Sequence, residues 1–224
     1  MATIISPLSA GALKDKQRAL RAGFPEALGL RVHRAISWLG RSEQEPDSDV
    51  RFILLWIGFN AAYASNIGQA FEQIGSERET FTTFFDALNE FDSERRIYRT
   101  VWDRFSQEIR ILLDNRYIFG PFWKHHNGDS AFSDWAARLD RAKTAVNHAL
   151  LRRDTTTLLS ILFDRLYVLR NQLVHGGATF ESAVNRAQVS DGCAILGTLL
   201  PLFIDLMMEN PDWAWGMPHY PVVD

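Results

Sequence analysis

The sequence places an arginine, an asparagine and a histidine within six residues, at Arg170, Asn171 and His175. An arginine guanidinium is always charged and can bind two oxygens of an anion at once. Free histidine titrates near pH 6.5, which suits it to proton transfer at neutral pH. Residues of these types therefore suit the binding of an anion and the movement of a proton beside it.

The spacing alone carries little weight, because arginine is abundant here and Arg141 and His148 form a second arginine and histidine pair at similar spacing. What distinguishes Arg170 is that Asn171 follows it, whereas an alanine follows Arg141. On a helix, His175 lies about 40° around the axis from Asn171 and about 140° from Arg170. Asn171 and His175 thus share a face, and the long arginine must reach across it.

A helix is predicted from Asp154 to His175, stopped by Gly176 and Gly177. A mostly polar line runs along it through Asp164, Val168, Asn171 and His175. A continuous apolar stripe lies beside this line and consists of Leu158, Leu162, Leu166, Leu169 and Leu173. One face therefore serves the core, and the other is free for a site.

Apolar residues at helical spacing recur along the rest of the chain, while strand patterns are almost missing. The spacing predicts helices from Pro25 to about Gly40, from Asp47 or Ser48 through Tyr63, from a capping box at Ser76 and Glu79 through Leu88, from Ser93 to near Asn115, from about Phe132 to Arg152, from Asp154 to His175, and from about Val189 to Glu209. We therefore predict one all-α domain, a helical bundle of six to eight helices.

Within this bundle, we expect residues 46–209 to form the main domain and residues 1–45 to form a helical extension packed on it. The tail, residues 210–224, holds Trp213, Trp215 and Tyr220. It is too aromatic to remain free in solution, so we expect it to dock on its own domain or on a partner.

The segment from Asn115 to Ser130 carries Gly, Pro and Asn-Gly signals and is predicted to be a long ordered loop. Two interpretations of its aromatic residues remain open, stacking on nucleic-acid bases or anchoring the loop to the core, and anchoring is favoured. These residues are Tyr117, Phe119, Phe122 and Trp123. The adjacent His125 and His126 predict no metal site, because neighbouring histidines seldom point at one ion.

The composition excludes a generally basic nucleic-acid binder, since 24 Lys+Arg face 27 Asp+Glu and the formal charge is -3. Between Arg138 and Arg186, however, eight cationic residues face four acidic ones, a local charge of +4. The single cysteine, Cys193, excludes an internal disulfide, and a cytoplasmic location is expected. The most apolar stretches, Phe52 to Ala64 and Cys193 to Met208, are too short for membrane spans and are predicted to be buried core helices.

The sequence from Arg170 to His175 resembles the RNxxxH form of the Rx4-6H motif of the HEPN superfamily. These all-helical domains occur in prokaryotic toxin ribonucleases and in RNA-cleaving CRISPR effectors. FILLWIGFNAAYA, from Phe52 to Ala64, resembles their first core helix, and Asn185-Arg186 precedes the last apolar helix as the resemblance leads one to expect. The resemblance extends loosely from Asp49 to Met208 and leaves out the first 45 residues.

This resemblance implies metal-independent RNA cleavage without a cofactor, in which a ribose 2′-hydroxyl attacks the adjacent phosphate and a cyclic phosphate remains. Arg170 would hold the scissile phosphate, and His175 would transfer a proton. Asn171 would orient the phosphate, the sugar or the histidine. Further candidates for binding the substrate are Asp164, Arg165 and Asn60, although a hydrogen-bonded core position is the favoured interpretation of Asn60.

HEPN nucleases typically build their cleft from two motifs across a two-fold axis, so the resemblance implies a homodimer with RNA as its substrate. A second hypothesis is a catalytically silent HEPN-like module that dimerises or binds a partner, such as an antitoxin protein. The acidic net charge and the aromatic tail favour this alternative. For the motif itself, a purely structural role at a helix end also remains open.

Overall fold

The structure is a computed structural model that describes residues 8–63, 74–218 and 220–222, and for residues 74–80 the backbone only. Within these residues the chain forms ten α-helices and no β-strand, which confirms the predicted all-α helical bundle. The helices are α1 (Ala10–Leu20), α2 (Glu26–Glu43), α3 (Ser48–Tyr63), α4 (Ile74–Phe91), α5 (Arg96–Arg99), α6 (Ser106–Asp114), α7 (Gly120–His126), α8 (Trp135–Arg152), α9 (Thr155–Val174) and α10 (Arg186–Glu209).

The helix count exceeds the predicted six to eight, partly because α1 had no predicted counterpart and partly because one predicted helix is divided. The segment from Ser93 to Asn115 forms α5, a π-helical turn at Thr100–Arg104, and α6. The side chain that bonds to the first turn of α5 belongs to Asp92, not Ser93, since the Asp92 carboxylate accepts the backbone N–H groups of Arg96 and Ile97 at 2.8 and 2.6 Å. The side chain of Phe105 enters the core where the π-helical turn ends.

The predicted loop from Asn115 to Ser130 was also wrong, because its turn signals mark the ends of short helices. The Asn115 side chain caps a 3₁₀ turn, accepting the Tyr117 N–H at 2.8 Å. Pro121 occupies the first turn of α7, where a missing N–H has no cost. Gly128 adopts a φ of 92° just after that helix ends.

The core is formed mainly by α3, α4, α9 and α10, and Phe59 of α3 lies within it, fully buried among aromatic rings. Those ring partners are Trp56, Tyr63, Phe81, Phe84, Phe85, Phe163 and Phe203. At Gly192 of α10, a Cβ atom would lie only 2.7 Å from the ring of Phe52, so glycine permits the close approach of α3 and α10.

Helix α10 is long and apolar enough to cross a membrane, but 78% of its most apolar window is buried inside the protein. The stretch from Cys193 to Met208 is almost entirely buried. The prediction of a buried core helix is therefore confirmed for this stretch. Several residues from Phe52 to Ala62 of α3 are likewise buried in the core, as predicted.

The N-terminal helices and the tail join the same core. Apolar residues of α2 pack with those of α3 and α10, and Trp215 of the tail is buried against Phe84 and Phe91. The buried Arg31 of α2 donates hydrogen bonds to three carbonyl oxygens, those of Ala62, Gly216 and Met217, at 2.8 to 2.9 Å. Burial lowers the pKa of Arg31 to about 10. The described part of the tail thus docks on its own chain.

Candidate functional site

Helix α9 carries the predicted site, and its sequence explains where it begins and ends. Asp154 caps the N-terminus, because its carboxylate accepts a backbone N–H of the first turn at 3.0 Å. At the other end, the His175 N–H donates to the Asn171 carbonyl at 2.9 Å. Gly176 follows with a φ of 67°, the left-handed conformation that stops a helix. The predicted helix from Asp154 to His175 is confirmed.

We refer to Arg170, Asn171 and His175 as the α9 motif. The half-buried Arg170 donates from Nη1 to the Asn171 side-chain oxygen at 2.8 Å, and its guanidinium lies 5.8 Å from the centre of the Tyr167 ring. His175 is exposed to solvent at the helix end. The structure thus brings the arginine and the asparagine into direct contact, and the backbone hydrogen bond from His175 to Asn171 places the histidine one turn further on.

The other three predicted site residues lie apart from the α9 motif. Arg165 is only 1% exposed, and its guanidinium packs over the ring of Phe119 at 4.2 Å. The half-buried Asp164 lies 3.9 Å from the same guanidinium, while Asn60 is half-buried on α3. Among the described residues, none of the three forms a hydrogen bond or ion pair with the α9 motif. Arg165 therefore contributes to packing in this conformation.

Sequence reasoning missed Gln172, which holds together the two segments that flank the motif. Its side-chain nitrogen donates to the Tyr117 carbonyl before α7, and its side-chain oxygen accepts from Asn185 before α10 at 2.9 Å. The same Tyr117 carbonyl also accepts from the Trp123 indole at 2.7 Å. The sequence contained one sign that Gln172 lies near the motif. It comes three residues before His175, so the two side chains are neighbours on the helix surface.

The loop between α9 and α10 is fastened close to the motif. Asp49 of α3 accepts one hydrogen bond from the loop backbone at 2.9 Å and another from the Arg186 side chain at 3.0 Å. The loop and the end of α9 nevertheless expose three large apolar side chains to solvent. They are Val174, Phe180 and Val184. Exposed apolar side chains therefore precede and follow the histidine along the chain.

The predicted basic stretch from Arg138 to Arg186 is engaged largely within the protein. Arg138 and Arg141 both pair with Asp134, at 2.6 and 3.4 Å, and other cations of the stretch have partners as well. Arg152, Arg153 and Arg170 have no carboxylate partner in the described part of the chain, and of these Arg170 alone bonds to Asn171 of the motif. Its charge is therefore available to an anionic ligand.

Comparison of the sequence with models of known protein families found no match, and searches of curated proteins and of solved structures found no significant one. The resemblance of the α9 motif to the HEPN superfamily therefore stays a prediction.

The remaining candidates for chemistry are Cys193, His125 and His126. Burial raises the pKa of the Cys193 thiol to about 12, and its sulfur donates to the Ser48 carbonyl at 3.3 Å, so it packs as a small apolar residue. The rings of His125 and His126 stand at 89° to each other. Within the residues that the structure describes, no cluster of three histidine, cysteine or acidic side chains is arranged to hold a metal ion.

Proposed function

We propose that this protein is a metal-independent endoribonuclease of the HEPN type, a cytoplasmic toxin or defence component that acts as a homodimer. The observation that carries the proposal is the α9 motif, in which an arginine with no carboxylate partner among the described residues bonds to Asn171 beside the solvent-exposed His175. This set offers an anion-binding group and a proton-transfer group at one end of a rigid helix.

The chemistry assigns a task to each member of the motif. Arg170 binds the scissile phosphate and offsets the charge that develops on it, while the Asn171 oxygen fixes the direction of the guanidinium. The 2′-hydroxyl loses its proton as its oxygen bonds to phosphorus, and the 5′-oxygen leaves and gains a proton. His175 moves one of these protons. The products are a cyclic phosphate and a 5′-hydroxyl.

A homodimer fits the surface beside the motif. One chain supplies one such arginine and one such histidine, and a two-fold axis would bring a second pair to the same cleft. Val174, Phe180 and Val184 expose apolar side chains at this place, which a second copy of the chain would cover.

An RNA cleavage assay in the presence of a chelator tests the proposal, and the chain offers a matched control. Arg170→Ala and His175→Ala should each lower the cleavage rate by about a hundredfold or more. Arg141→Ala and His148→Ala change the same residue types at similar spacing, on exposed positions of α8, and should cleave as the native protein does. The products should carry cyclic phosphates. Equal rates in all variants, or no cleavage by any, would contradict the proposal.

A catalytically silent module that dimerises or binds an antitoxin-like protein is the second candidate. The exposed apolar side chains beside His175 favour it as much as they favour a homodimer. The same assay separates the two, because a silent module cleaves nothing while its oligomeric state, measured by light scattering, still depends on Phe180 and Val184.

A further inference from the structure

The segment from Arg116 to Trp123 divides its aromatic residues into two sets. Phe119 and Phe122 are buried and hold the segment on the domain, which agrees with the anchoring interpretation. Tyr117 and Trp123, by contrast, are 41% and 37% exposed. We call these two rings, together with the exposed Arg116, the aromatic surface. The anchoring interpretation does not explain why the rings of Tyr117 and Trp123 are exposed.

The aromatic surface is joined to α9 through Gln172. The Tyr117 carbonyl accepts hydrogen bonds from both the Gln172 side chain and the Trp123 indole, so one backbone group links the Trp123 ring and the segment that carries Tyr117 to α9. Gln172 lies next to Asn171 in sequence and three residues before His175. Side chains three residues apart on a helix are neighbours, with about 5–6 Å between Cβ atoms. The surface therefore begins on the side of α9 that carries His175, about 60° around the helix axis from it.

Its chemistry fits a nucleotide. The indole N–H of Trp123 is already bonded to the Tyr117 carbonyl, so the ring has only its aromatic surface left to offer a ligand. The Arg116 guanidinium lies 5.0 Å from the centre of the Tyr117 ring and donates to its hydroxyl at 3.1 Å. The Lys124 ammonium lies over the Phe132 ring, 4.5 Å from its centre, so Arg116 is the cation of this surface. Exposed rings beside a cation suit bases joined by phosphates, since bases stack on rings and phosphates pair with cations.

We propose that Tyr117 and Trp123 stack unpaired bases of single-stranded RNA, while Arg116 pairs with its backbone and an adjacent phosphate reaches Arg170 and His175. The choice of RNA rests on the proposed function. Bases in a duplex are already stacked on one another and are not free to lie on the rings. The surface thus selects unpaired RNA and accepts any base, because every base has a face that stacks.

Binding measurements on full-length protein test this inference. All proteins carry His175→Ala, so that no strand is cut, and fluorescence anisotropy follows a short labelled single strand and a labelled hairpin whose stem has the same sequence. Tyr117→Leu and Trp123→Leu remove the rings. Tyr117→Phe and Trp123→Phe keep a ring, and Trp123→Phe also removes the indole hydrogen bond. Trp38→Leu is the matched control, because Trp38 on α2 is 38% exposed.

Each leucine variant should bind the single strand about tenfold more weakly, equal to about 1.4 kcal/mol. The phenylalanine variants and Trp38→Leu should bind within about twofold of the parent. Binding to the hairpin stem should not change. The inference is overturned if the leucine variants bind the single strand as the parent does, if Trp123→Phe is as weak as Trp123→Leu, or if the stem loses affinity equally.

A parallel cleavage assay with the native His175 separates this inference from the proposed function. If the native protein cleaves RNA and the leucine variants bind it normally, the proposed role of the aromatic surface is contradicted and the proposed nuclease activity is not. If binding requires the rings but no cleavage occurs, the role of the aromatic surface is supported and the nuclease activity is contradicted. A chain that binds no RNA overturns both, as expected if this surface is occupied by a protein.

Discussion

Two groups of charged side chains lie near the C-terminal ends of α9 and α10, and they differ in their partners. On α10, Asp205 is 3% exposed and bonds to Lys16 through one oxygen and to Arg96 through the other, each at 2.6 Å. Glu209 bonds to the same two cations at 2.7 Å. Burial alone would lower the pKa of Lys16 and of Arg96, but these contacts raise both above their usual values. This α10 cluster ties α1 and α5 to the core.

The α9 motif has the opposite character. Arg170 contacts an amide and an aromatic ring, and His175 faces solvent. Charges that hold a fold together are neutralised and shielded, because an unpaired charge in the interior is costly. The half-buried Arg170 has less of this cost and remains open to an anionic ligand. The comparison leads us to interpret the α10 cluster as structural and the α9 motif as functional.

The largest effect is expected from breaking the α10 cluster. Asp205→Asn removes the charge that two cations share, and losing one partner of a buried ion pair is expected to lower the free energy of unfolding by about 3 kcal/mol. Denaturant titration followed by circular dichroism measures this. Glu209→Gln is the control, since Glu209 bonds to the same cations but is 41% exposed, and its loss should cost under about 1 kcal/mol. Equal losses in the two variants would show that burial does not set the strength of this cluster.

Much of the fold could be predicted from sequence, because helical periodicity reports directly which face is buried. It identified α9 and α10 closely, since leucines recur along α9 and the glycine after His175 marks its end. Periodicity did not show where the predicted helix between Ser93 and Asn115 is interrupted. It also did not show that Asp92, and not Ser93, caps this segment, because that depends on which side chain reaches the free N–H groups of the first turn.

Part of the candidate site was also predictable from local helix geometry. Arg170, Asn171 and His175 are neighbours along one helix, so their proximity follows from local geometry. Arg165 was assigned to the site on its charge, but α7 and the turn before it cover that side of α9 and place Phe119 on its guanidinium. The role of Gln172 was missed, since its two partners come from distant segments. Contacts of this kind depend on tertiary packing.

An intermediate effect is expected from Gln172→Ala. This change removes a hydrogen bond to the Tyr117 carbonyl and another to Asn185, and each contributes about 0.5–1.5 kcal/mol, so the free energy of unfolding should fall by about 1–2 kcal/mol. Thermal unfolding checks the change. Gln107→Ala on α6 is the control, because that glutamine is exposed and its loss should cost under about 0.5 kcal/mol. If both variants unfold alike, Gln172 does not fasten the flanks of the motif.

The smallest effect on stability is expected from His175→Ala. The ring is exposed, so its removal should change the free energy of unfolding by under about 0.5 kcal/mol. Cleavage should nevertheless fall by about a hundredfold. In Asp205→Asn, by contrast, activity should fall only as far as the folded fraction falls. Stability and activity, measured on the same preparations, thus separate the two groups. A His175→Ala protein as unstable as Asp205→Asn would mean that the histidine serves the fold, and the functional interpretation of the α9 motif would be lost with it.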